Sequence, residues 1–173
     1  MATGRFRTWS SKVPIAETVV IDPDTVKYPI VISAKGAPDG WIRYTVVPGK
    51  RLGGRDFKDR IVMVDGAEYV LIENIVFEGG GGEKKEPLSI MNSRAVRVLN
   101  CEFYGWGRTG PQNFDKFSKT YGGGKFLDME RSTPQRPVII NYDAAIIVGC
   151  GASETVIERC YVHDPRSHAN SWL

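Results

Sequence analysis

One stretch of this chain repeats 26 positions later with its alternating apolar positions kept, and nothing else in the sequence constrains the fold as strongly. Laying Ile61 to Gly79 over Pro87 to Gly105 pairs Val62 with Leu88, Val64 with Ile90, Val70 with Val96, Ile72 with Val98, Ile75 with Cys101 and Phe77 with Phe103. Asn74 then falls on Asn100. A third copy, Glu154 to Asp164, places Thr155, Ile157, Cys160 and Val162 in the same columns at an offset of 59 from the second. The offset changes because a long insertion separates the last two copies. Self-similarity at this period predicts a stacked array and not a single globular core.

Within each copy apolar residues alternate with polar or exposed ones, which is the period of a strand. Val70 and Ile72, a one-residue phase break at Asn74, then Ile75 and Phe77 describe two short strands joined by a sharp corner. A further short strand precedes them, Ile61 to Val64 in one copy and Leu88 to Met91 in the next. Three short strands per turn of about 22 to 26 residues suit a parallel β-helix, whose coils lie roughly 4.8 Å apart. A sandwich of hairpins would need turn signals that are missing. Asparagine tolerates positive φ at low cost, so Asn74 and Asn100 fit a corner column where their amides could stack; Arg159 breaks any such ladder.

These residues resemble the right-handed parallel β-helix proteins of the pectate-lyase-like superfamily. Tyr28 to Ser33, Asp39 to Tyr44 and Pro48 to Arg51 look like the first-coil pattern of such chains, and the resemblance covers roughly Thr18 to Val162. The implied fold is all-β: a single-stranded right-handed solenoid of about four coils, residues 18–173, after an N-terminal extension at 1–17. A loop insertion at 104–142 interrupts it. No capping element follows the last strand and no amphipathic helix covers Met1 to Lys12, so the chain is expected to be a fragment, incomplete at its C-terminal end.

A chain of 173 residues is long enough for one domain. Its net charge of +3 is slight and its charges are mixed, which argues against a nucleic-acid partner. No segment is long and apolar enough to span a membrane, and the start lacks the order of a secretory signal. The family is commonly exported, so the resemblance implies an extracellular or cell-surface location. Three cysteines do not define a disulfide framework. Cys101 and Cys160 share an inward column and read first as small buried apolar residues, with a bridge between coils as the alternative.

Packing occupies the inward positions, so chemistry is expected on outward positions and loops. The insertion holds Trp106, Tyr121 and other aromatics with Arg108 and Lys125. Aromatic faces stack on sugar rings and cations pair with uronate carboxylates, so Trp106, Arg108, Tyr121, Lys125 and Tyr142 are candidate substrate contacts. The family's groove lies beside the first strand of each coil, which the resemblance carries to Glu83 to Glu86, to Tyr142 and Asp143, and to His163 to His168. A lyase there needs a base and a cation that neutralises the uronate carboxylate, commonly Ca²⁺. His163, Arg166, His168, Lys84 and Lys85 are the candidate catalytic residues; Glu86, Asp143 and Asp164 are the candidate metal ligands. The polygalacturonase Gly-His-Gly element is absent, Gly149-Cys150-Gly151 being the nearest likeness. The expected function is a polysaccharide lyase acting on a uronate polymer by β-elimination, and the alternative is a non-catalytic surface, adhesive or phage-fibre segment that binds saccharide or serves as a rod.

Overall fold

The computed structural model describes residues 12–81, 85–107 and 144–165. These residues form thirteen strands and no helix. The strands are β1 (Ile15–Ile21), β2 (Ile30–Ile32), β3 (Trp41–Val46), β4 (Leu52–Gly53), β5 (Val62–Asp65), β6 (Glu68–Glu73) and β7 (Val76–Glu78). They continue as β8 (Leu88–Met91), β9 (Arg94–Leu99), β10 (Glu102–Tyr104), β11 (Ile146–Val148), β12 (Val156–Glu158) and β13 (Tyr161–His163).

After β1 the chain visits three sheets in turn and returns to each after three strands. The first sheet orders as β2-β5-β8-β11, the middle sheet as β1-β3-β6-β9-β12 and the third as β4-β7-β10-β13. Every pairing between these strands is parallel. The arrangement is compatible with a parallel β-helix.

The columns expected from the sequence are the hydrogen-bonded register. Val62 pairs with Leu88, Val70 with Val96 and Phe77 with Phe103, all 26 apart. Val98 pairs with Ile157 and Phe103 with Val162, both 59 apart. Leu88 pairs with Ile146, however, which is 58 apart. The extra residue lies in the corner after β11, where Gly149 packs so close to Met91 that a Cβ would fall 2.3 Å from its sulfur.

One continuous core runs through the inward columns. Leu52, Phe77 and Phe103 are neighbours across the third sheet and each is fully buried. The two phenyl rings stack at 4.5 Å with planes 5° apart. Burying each such side chain stabilises by about 1.5 to 3 kcal/mol. Alternation fails on the outer face of the middle sheet, where Leu71 and Leu99 are buried as well. There they join Trp41 and Ala95 in a second cluster, with Val13 and Tyr69 packed against it. The Arg97 guanidinium covers the Trp41 ring at 5.3 Å, a cation–π contact that lets an outward apolar residue stay dry.

The corners repeat as faithfully as the strands. Four columns have positive φ in three successive copies: Gly66, Asn92 and Gly151; Tyr69, Ala95 and Glu154; Asn74, Asn100 and Arg159; Gly79, Gly105 and Asp164. Only the Asn74–Asn100 column was visible as a corner in the sequence. Glycine enters this region freely and asparagine at small cost, whereas Tyr69, Ala95, Glu154 and Arg159 each carry a strain of roughly 1 kcal/mol. The bend is therefore imposed by pairing on both sides. Asn74 N–H donates to Leu99 O at 3.1 Å and Asn100 N–H to Glu158 O at 3.2 Å, which ties each corner to the next strand along.

Candidate functional site

The outer face of the third sheet gathers the most chemistry among the described residues. Because side chains alternate along a strand, Phe77, Phe103 and Val162 face inward and their neighbours face out. One outward column is Val76, Glu102 and Tyr161; the next is Glu78, Tyr104 and His163. Arg51, just before β4, stands one place before Leu52, the partner of Phe77, and its guanidinium reaches across to the second column.

Within this face the side chains are already organised. His163 Nε2 lies 2.9 Å from Glu102 Oε1 and its Nδ1 lies 2.9 Å from Asp164 Oδ2. The hydrogen bond to Asp164, followed by that to Glu102, raises the His163 pKa above the ordinary histidine value. The Tyr161 ring stacks on the imidazole at 4.1 Å and the Tyr104 ring at 5.5 Å. Arg51 Nη1 donates to Glu78 Oε2 at 3.1 Å and to the Tyr104 hydroxyl at 2.8 Å. Tyr161 is 65% exposed, so a flat aromatic face stands open beside fixed charges.

His163 and Asp164, a candidate catalytic residue and a candidate metal ligand, are thus brought together, hydrogen-bonded to each other. Two carboxylates beside an imidazole favour its protonated form, the form that donates a proton. Lys85 stands apart, 3.5 Å from Asp59. Glu86 is buried, with Oε2 3.6 Å from Arg60 Nη2. Among the described residues no group of three or more histidine, cysteine or acidic side chains could hold a metal ion. Trp106 lies in the main core at 5% exposure, its indole N–H without a hydrogen-bond partner among the described residues. Lys84, Arg108, Tyr121, Lys125, Tyr142, Asp143, Arg166 and His168 lie outside the described residues.

Sequence reasoning singled out His163 and Asp164 but missed Arg51, Glu78, Glu102, Tyr104 and Tyr161. The signal was present. The register that fixed the inward columns also fixes the outward ones, and stepping one residue aside from Phe77, Phe103 and Val162 lists this face. The outer face of the first sheet looks different. Its longest outward column is Val31, Met63, Ser89 and Ile147, apolar apart from a serine that is 2% exposed and lacks a partner among the described residues, and the next pairs Asp65, which accepts from Asn92 Nδ2 at 2.9 Å, with Met91.

Among the described residues no helix is long and apolar enough to cross a membrane. Comparisons of the chain with protein-family models, with curated proteins and with solved structures found no match.

Proposed function

We propose that the chain winds as a right-handed parallel β-helix of the pectate-lyase-like type and that the outer face of its third sheet binds a linear polysaccharide. The strand order supports the winding, since each sheet is revisited after three strands by parallel pairing and parallel crossovers are nearly always right-handed. The binding reading rests on one observation: the exposed Tyr161 ring stacked on a clamped His163 beside Tyr104. Sugar rings take aromatic faces, and their hydroxyls take carboxylates and guanidinium groups. Strands lie about 4.8 Å apart, close to the length of one sugar unit, so a glycan laid across β7, β10 and β13 meets an equivalent outward position at each unit. Such a polymer places the protein outside the cell or at its surface.

Titration with a panel of neutral and uronate oligosaccharides, followed by calorimetry, tests this. Tyr161→Ala should weaken the best ligand about tenfold or more, the equivalent of roughly 1.4 kcal/mol. Unchanged affinity in that variant, or no binding across the panel, would sink the proposal.

Uronate β-elimination is the second reading, and the observation that favours it is His163 hydrogen-bonded to Glu102 and Asp164, whose pull on its pKa is upward and so favours a proton donor. Glu78, Glu102 and Asp164 oppose it by repelling a uronate chain. Calcium held by Glu86, Asp143 and Asp164 belongs to this reading alone. Formation of ultraviolet-absorbing unsaturated products from pectate or alginate would favour elimination, and their absence leaves the binding role.

A further inference from the structure

The two thiols in the inward column call for their own account. Cys101 is buried, Cys160 half-buried, and both are free. They occupy equivalent settings one strand triplet apart. Cys101 Sγ lies 3.4 Å from Leu99 O and 3.7 Å from Ile72 O, and Cys160 Sγ lies 3.5 Å from Glu158 O and 3.6 Å from Val98 O. Val98 is the column partner of Ile72, and Glu158 that of Leu99. Tyr161 N–H donates to Cys101 O at 2.9 Å, which locks the two corners side by side. Adjacent parallel strands set matched Cα atoms about 4.8 Å apart, within the span of roughly 4.4 to 6.8 Å that a disulfide bridges without backbone movement.

The thiols influence each other: the neighbouring Cys160, with burial adding to the effect, raises the Cys101 pKa, while Cys101 draws that of Cys160 down to about 7. Cys160 is thereby the more nucleophilic and the more accessible of the two at neutral pH.

We propose that Cys101 and Cys160 are a redox-closable pair, converted to a disulfide that staples the third strand triplet to the fourth across the insertion. A small-molecule disulfide such as oxidised glutathione is the oxidant. The Cys160 thiolate attacks one of its sulfurs, forming a mixed disulfide and expelling one thiolate. Cys101 then gives up its proton to solvent and attacks the Cys160 sulfur, expelling the second. Two protein thiols lose two electrons, and the small disulfide gains them as two thiols. The pair closes a long loop, the case in which a cross-link removes most freedom from the unfolded chain.

The test uses the full chain carrying Cys150→Ser, which removes the exposed third thiol. After incubation with oxidised glutathione and alkylation of remaining thiols, intact mass should show the loss of two hydrogens, with no glutathione and no alkyl group attached. The oxidised form should unfold on the order of 5 °C or more above the reduced form, and that gap should vanish when Cys160→Ser is added. A persistent glutathione adduct, two alkylated thiols, or an intramolecular disulfide with no shift in unfolding temperature would each overturn the staple.

Discussion

The third strand triplet, β8 to β10, and the fourth, β11 to β13, carry the same columns and bury them very differently. Ile90, Val98 and Phe103 are 0% exposed, while their register partners Val148, Ile157 and Val162 are 47%, 44% and 45% exposed. Residue type does not account for this, because all six are apolar. Backbone does not either, since the corner φ is +51° at Asn100 and +52° at Arg159. What differs is the neighbour. Strands β8, β9 and β10 are paired on both sides, whereas among the described residues β11, β12 and β13 each have a neighbour on one side. In such an array stability is a sum over interfaces, so a column residue contributes according to its place in the strand order.

The sharpest way to break that comparison is truncation along one column. Phe103→Ala should cost about 3 to 5 kcal/mol, because it opens a cavity against a stacked ring on one side and a strand on the other. Val162→Ala, in the same column one strand further on, should cost below about 1 kcal/mol, as expected for a half-exposed side chain. Urea denaturation of both variants measures the gap, and equal losses would show that burial in β13 is as complete as in β10. A double-mutant cycle on Phe77 and Phe103 should return a coupling of roughly 0.5 to 1.5 kcal/mol from their stacked rings.

How much of this was legible beforehand depends on which residues the core holds fixed. The columns Val62–Leu88, Val70–Val96 and Phe77–Phe103 could be read because an inward position tolerates only an apolar residue, so the register leaves a mark in the letters. Most corners leave none. Tyr69, Ala95 and Glu154 share a positive φ without sharing a chemistry, because pairing on either side enforces the bend whatever the residue. Leu71 and Leu99 misled in the opposite way: they are apolar and outward, clustered with Trp41 and Ala95, and Leu71 lies between Arg43 and Arg97 in the register, a shelter that a two-state pattern cannot anticipate. In the candidate site, His163 and Asp164 stood out as titratable types near the last strand. Glu102 and Tyr104 did not, since their part depends on lying beside His163, which is 61 positions from Glu102 in sequence but in the adjacent strand.

The corners offer a subtler separation of the two triplets. Arg159→Asn replaces a residue strained at φ +52° with one that tolerates it, and should stabilise by about 0.5 to 1 kcal/mol. The reverse change, Asn100→Arg, should destabilise by roughly the same amount. Thermal unfolding of the pair decides. If both substitutions were neutral, the cost of a corner would lie in the pairing alone and not in the residue.

The smallest effect expected concerns His163, where the fourth triplet leans on the third through charge. The folded-state pKa of the imidazole is raised by Asp164 and Glu102. Its contribution to stability is therefore fully present below the unfolded value of about 6.5 and is lost as pH rises through the higher folded-state value. A proton NMR titration of His163 should give a midpoint above that reference, and the unfolding midpoint should decline over the same window. Asp164→Asn and Glu102→Gln should each lower the His163 pKa. Asp164 has the larger influence, but its side chain is 86% exposed against 40% for Glu102, so added salt should erase the Asp164 contribution first. A midpoint at or below the reference in the unmodified chain would mean that β10 and β13 are joined by backbone pairing and ring stacking without help from the ion pair.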